Sequence, residues 1–68
     1  MPSSVIAHID YDPEKQVLKI RFLSGAVYVY YDVPDEVYVR MSKAKSKGHF
    51  LNTKIKGNYA FEKIGEAG

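Results

Sequence analysis

The chain has 68 residues, one domain's worth, and a domain of that size buries only about 60% of its unfolded surface. It has no cysteine and two histidines, His8 and His49, which excludes a disulfide framework and leaves no ligand cluster for a structural metal. The net charge is +2, and no apolar run approaches the roughly 18 residues of a membrane span, so no membrane-spanning helix is expected.

Stability therefore has to come from a compact apolar core, to which six tyrosines and three phenylalanines contribute. Met1-Pro2-Ser3-Ser4 has neither a basic n-region nor a long apolar stretch. No signal peptide is expected, and the setting expected is cytoplasmic.

Val5 to Tyr11 is rich in β-branched and apolar residues and reads as a first strand. Asp12-Pro13-Glu14-Lys15 follows as a turn, with proline at a favoured position after aspartate. Gln16 to Leu23 alternates, with Leu18, Ile20 and Phe22 on one side and Lys19 and Arg21 on the other. Ser24-Gly25 is a second tight turn, and Ala26 to Val33 reads as a third strand.

Pro34 ends that strand and opens a helix, since its missing N–H costs nothing in a first helical turn. Asp35 and Glu36 begin this helix and Arg40, Lys43 and Lys45 lie toward its end, a polarity that suits the helix dipole. Val37, Met41 and Ala44 form its apolar stripe. A second short helix starts after Ser46 as N-cap and buries Phe50, Leu51 and Ile55. Gly57-Asn58 closes it, both residues being able to take positive φ. Tyr59 to Ile64 reads as a last short strand. The expected fold class is α+β: a small antiparallel sheet, in β-β-β-α-α-β order, with two short helices packed on one face. The domain spans residues 1–64, with 65–68 as a frayed tail.

These residues bear a resemblance to a known family. It runs through Ser3-Ser4, Tyr11-Asp12-Pro13, Leu18-x-Ile20-x-Phe22, Gly25 and Tyr28-Val29-Tyr30. It continues with Val33-Pro34, Ser46-x-Gly48, Phe50-x-Asn52, Ile55 and Tyr59. In this order and spacing the chain resembles the KTSC domain, found at the C-terminus of some lysyl-tRNA synthetases. The resemblance implies a module that occurs alone or fused to a synthetase. It brings no established activity, and RNA binding enters only as a suggestion drawn from the fusion.

Charge is segregated along the chain. Residues 1–36 carry six acids and three bases, whereas residues 37–56 carry Arg40, Lys43, Lys45, Lys47, Lys54 and Lys56 with no acid. Such asymmetry points to an electrostatic partner, although a solvated basic surface would look the same. Within this segment, Ser46, Lys47, Gly48 and His49 begin the second helix. Backbone N–H groups at a helix start attract anions, so these residues are a candidate phosphate site. The alternative is an ordinary N-cap at Ser46 with a glycine at Gly48 for close packing. The Gly-x-x-x-x-Gly-Lys-Ser/Thr spacing of a P-loop is missing, which argues against nucleotide hydrolysis.

Tyr28 and Tyr30 share one face of the third strand, with Val27, Val29 and Tyr31 on the other. If their face is open they are candidate base-stacking residues; if the helices cover it they are core. Asn52 either bonds a protein group or contacts a ligand. Asp10, Asp12 and Glu14 lie at a turn without EF-hand spacing, so a solvated or Asx-type turn is expected and no metal. His8 and His49 join no catalytic constellation.

The expectation is a small non-enzymatic binding module without cofactor, acting on RNA or single-stranded nucleic acid through its basic segment. The alternative is a protein-interaction module using an open sheet edge, or self-association. The oligomeric state expected is a monomer or a weak homodimer.

Overall fold

The structure, a computed structural model, describes residues 6–66, without the Glu66 side chain. Ser3-Ser4, the expected strand start at Val5 and the last two residues of the expected tail lie outside the described residues.

Three strands form a meander: β1 (Ile6–Asp12), β2 (Val17–Phe22) and β3 (Ala26–Tyr30). The β1–β2 turn closes on Asp12, whose carboxylate accepts from the N–H groups of Glu14 (3.0 Å) and Lys15 (3.3 Å). This is the expected Asx-type turn. At the β2–β3 turn, Gly25 takes a φ of 99°, which a residue with a Cβ adopts poorly.

β3 ends at Tyr30, three residues earlier than the sequence predicts. Asp32 adopts a left-handed φ of 57°, which aspartate tolerates better than most residues. That turn sends Val33 into the core, where its N–H donates to the Gln16 carbonyl at 2.8 Å.

Helix α1 (Asp35–Lys43) has Pro34 at its N-cap position rather than inside its first turn, and Met41 is its fully buried residue. Helix α2 (Lys47–Phe50) follows and runs directly into a π-helical turn over Leu51–Ile55. The turn closes where the Lys56 N–H donates to the Leu51 carbonyl at 2.8 Å, five residues back. Gly57 then takes a φ of 83°, whereas Asn58 does not take positive φ; its side chain instead donates to the Lys54 carbonyl at 2.8 Å.

β4 (Phe61–Glu66) starts and ends two residues later than expected, so Gly65 and Glu66 belong to a strand rather than to a frayed tail. β4 lies antiparallel beside β3, giving the sheet order β1-β2-β3-β4. The fold is the expected α+β arrangement.

The register settles which sheet face is covered. Leu18 faces Tyr30 and Ile20 faces Tyr28 across β2 and β3. Leu18, Ile20 and Tyr30 cluster with Val33, Met41, Leu51 and Ile55 in one buried core. The helices therefore cover the face that carries Tyr28 and Tyr30. The other face presents Lys19 and Arg21, with buried Val29 between strands.

Candidate nucleic-acid interface

Every base of the acid-free segment is exposed: Arg40, Lys43, Lys45, Lys47, Lys54 and Lys56. Arg40 makes a loose pair with Glu36 at 3.9 Å, one helical turn away on α1. Among the described residues, no carboxylate comes within ion-pair distance of the five lysines. Their charge is left for solvent or for a partner.

The start of α2 is built as a capped helix end. The Ser46 hydroxyl accepts from the His49 N–H at 3.1 Å, and the Ser46 carbonyl accepts from the Phe50 N–H at 3.0 Å. One of the three N–H groups expected to meet an anion is thus already satisfied by the cap. Gly48 is buried, in keeping with close packing, while His49 stays exposed on the first turn. Asn52 is exposed, and among the described residues its side chain makes no hydrogen bond. It does not tie the helix to the sheet.

The tyrosine pair separates. Tyr30 is only 2% exposed, and burial followed by the neighbouring Tyr28 pushes its phenol pKa upward. Of the two readings left open for it, stacking surface or core, Tyr30 is core, packed with Leu18 and Ile20 under the helices, so it is withdrawn as a candidate stacking residue. Tyr28 is half-buried and lies in a row of rings. Phe22 meets it edge-on at 5.5 Å and Phe61 tilts against it at 5.9 Å. Phe61 also touches Tyr30 at 5.7 Å.

This row lines an open cleft of about 660 Å³. Phe22, Leu23, Tyr28 and Phe61 form its apolar walls, and Lys56 and Gly57 stand at the end of the π-helical turn. Among the described residues, no acidic side chain lines it. Leu23 and Phe61 are 69% and 58% exposed, much apolar surface for so small a domain to leave in water. Lys63 sits opposite Tyr28 in the β3–β4 register, on the same face. Sequence reading did not single out Leu23 or Phe61 as exposed apolar residues; Phe61 was visible only as an aromatic in a short terminal strand.

On the opposite face the groups are mixed in charge. His8 approaches Asp10 at 3.7 Å, and the Tyr31 hydroxyl donates to Glu62 at 2.9 Å. Among the described residues, no group of three or more His, Cys, Asp or Glu side chains is placed to hold a metal ion. No helix among them is long and apolar enough to cross a membrane.

The KTSC domain profile matches residues 2–59 of the chain. The chain belongs to the KTSC domain family. The crystal structure of a KTSC domain protein from Yersinia pestis superposes with a TM-score of 0.87 at 38% identity, covering 96% of this chain and 92% of that one. A protein of Tsukamurella paurometabola is 44% identical over 57 residues, spanning 84% of this chain and 85% of its own length. A lysine–tRNA ligase of Nostoc punctiforme is 43% identical over 61 residues, which is 90% of this KTSC domain but only 11% of the ligase. The match reaches from the β1–β2 hairpin through α1 and α2 to Tyr59, so it includes the lysine segment and Phe22, Tyr28 and Lys56, while Phe61 lies just beyond it.

Proposed function

We propose that this KTSC domain is a non-enzymatic module that binds single-stranded nucleic acid, RNA foremost, through the basic segment from Arg40 to Lys56. The observation that carries the reading is the set of five exposed lysines with no carboxylate partner among the described residues, ending at Lys56 beside an aromatic cleft. Lysines so placed contact phosphates without sequence preference, and aromatic rings accept bases of any identity. The phosphate contacts fall to Lys43, Lys45, Lys47, Lys54 and Lys56, with Arg40 at the margin and the Ser46–His49 turn offering the N–H groups its cap leaves over. A related domain within a lysine–tRNA ligase, whose name makes a transfer RNA its substrate, is consistent with this reading, as is a cytoplasmic setting.

The rival is protein binding at an open sheet edge, β1 and β4 being the outer strands of the sheet among the described residues. Pairing of β4 with a second copy, about a two-fold axis at residue 62 or 63, sets Glu62 against Glu62 or Lys63 against Lys63. Like charges directly opposite destabilise a strand pair. Those two registers are disfavoured.

A residue-resolved NMR titration with short single-stranded RNA, a transfer RNA and duplex DNA, at low and high salt, separates the two. Salt-sensitive shifts along Lys43–Lys56 are expected. Absence of shifts with every nucleic acid would overturn the proposal and turn attention to the sheet edges.

A further inference from the structure

We infer that the cleft between Phe22, Tyr28 and Phe61 holds one unpaired nucleobase, with the Lys56 ammonium on the adjoining phosphate. The inference rests on the nucleic-acid reading above and assigns the base-binding part of the same surface.

The cleft's dimensions and chemistry select the ligand. Its volume of about 660 Å³ lies within the range of small-molecule sites, about 300–1,000 Å³. Four aromatic side chains from three strands line it, Phe22, Tyr28, Tyr30 and Phe61, and the Phe61 ring, tilted against Tyr28 and Tyr30, is 58% exposed. Such a wall favours a flat, polarisable guest, because stacking needs a ring face and no particular hydrogen-bond pattern.

Charge decides the rest. Lys56 lines the cleft, and among the described residues no carboxylate does. An anionic guest is therefore favoured over a neutral or cationic one. A nucleobase joined to a phosphate combines flatness with negative charge. A base paired within a duplex is stacked on both sides and cannot enter, so the cleft confers a preference for unpaired strands.

The position of Lys56 follows from the local fold. The π-helical turn ends at its N–H, and Gly57 at a φ of 83° swings the chain toward β4. A Cβ at Gly57 would meet nothing within 4 Å, so the mouth of the cleft beside Lys56 is open.

The test is an NMR titration of the whole chain with adenosine monophosphate, uridine monophosphate, ribose 5-phosphate and a short uridine-rich single-stranded RNA. Wild type, Phe61→Ala, Phe61→Tyr and Lys56→Gln are compared, each first checked for a dispersed native spectrum. Expected are upfield ring-current shifts of the base protons and contacts from them to Phe22, Tyr28 and Phe61. Phe61→Ala should weaken RNA binding about tenfold, which matches one lost stacking partner, while Phe61→Tyr retains it. Lys56→Gln should weaken binding of the nucleoside monophosphates.

If RNA binds with salt-sensitive shifts along Lys43–Lys56 but Phe61→Ala binds it equally well, the cleft assignment falls and the nucleic-acid reading stands. If wild type binds no RNA at all, both fall. Ribose 5-phosphate binding as tightly as the nucleotides would overturn the base-stacking role. Displacement of the nucleotide by an uncharged apolar peptide of higher affinity would make the cleft a peptide site instead.

Discussion

Tyr11 of β1 and Tyr38 of α1 stack face to face, with centroids 4.7 Å apart and planes 8° from parallel. The same Tyr11 hydroxyl donates to the Val33 carbonyl (2.6 Å) and to Asp35 Oδ1 (2.8 Å), its single proton shared between two acceptors. One side chain thus ties the outer strand to the loop that enters the core and to the first residue of α1. The helical layer, and with it the basic segment, is held in place on the sheet partly through this contact.

Tyr11→Phe keeps the stack and removes both hydrogen bonds. A loss of about 1 kcal/mol is expected, the usual net value of a hydrogen bond in a folded protein. In a domain of this size that lowers Tm by about 4–8 °C, measurable by circular dichroism or calorimetry.

The same residue sets an alkaline limit. Partial burial, with the hydrogen bond to Asp35 and the nearby charges of Asp35 and Asp12, pushes the Tyr11 phenol up to about 12 from 10.0. The folded state therefore holds its proton to higher pH than the unfolded state does. The stabilisation from Tyr11 is fully present below pH 10 and is lost as pH rises toward 12. Urea titrations across this window should show wild type losing its advantage over Tyr11→Phe, and a constant difference would refute the coupling.

Ser46→Ala removes the acceptor of the His49 N–H and should destabilise the domain by about 1 kcal/mol, whereas Ser46→Gly costs a few tenths. Chemical denaturation of both variants checks this. A cap that is purely structural predicts unchanged RNA affinity in the folded fraction of Ser46→Ala.

Lys45→Glu with Lys47→Glu should lower the slope of log affinity against log salt. Each phosphate contact on a single strand contributes about 0.7 to it, so two lost contacts remove about 1.4. Binding followed across a salt series gives the slope, and an unchanged value would move the phosphate contacts away from the α1–α2 junction.

Leu51→Ala and Leu23→Ala should behave oppositely despite removing the same atoms. Leu51 is fully buried in the core and should cost about 2–5 kcal/mol, enough to unfold much of so small a domain. Leu23 is 69% exposed at the cleft and should change stability by less than about 0.5 kcal/mol. Thermal denaturation distinguishes the two.

Much of the architecture was legible in local patterns. The alternation of Leu18, Ile20 and Phe22 with Lys19 and Arg21 specifies a strand, and Asp12-Pro13 and Ser24-Gly25 specify its turns. Asp35 and Glu36 at one end, with Arg40 and Lys43 at the other, specify a helix and its direction. Ser46 specifies the start of the next. These signals are short-ranged: backbone sterics, caps and side-chain periodicity act within a few residues. The basic segment was legible for the same reason, since its charges are contiguous and exposed.

The faces of β3 were not legible. Tyr28 and Tyr30 on one side and Val27, Val29 and Tyr31 on the other are both apolar enough to be covered. The choice was made by Met41, Leu51 and Ile55, which dock against Leu18, Ile20 and Tyr30. The cleft was equally hidden, because Phe22, Tyr28, Lys56 and Phe61 come from separate elements and meet only when β4 pairs with β3. By itself the sequence determined the elements, their order and the site of the positive charge, all consequences of local chemistry. Burial of Tyr30, exposure of Phe61 and the pocket between them were decided by tertiary structure, because solvent access depends on which distant surfaces pack together.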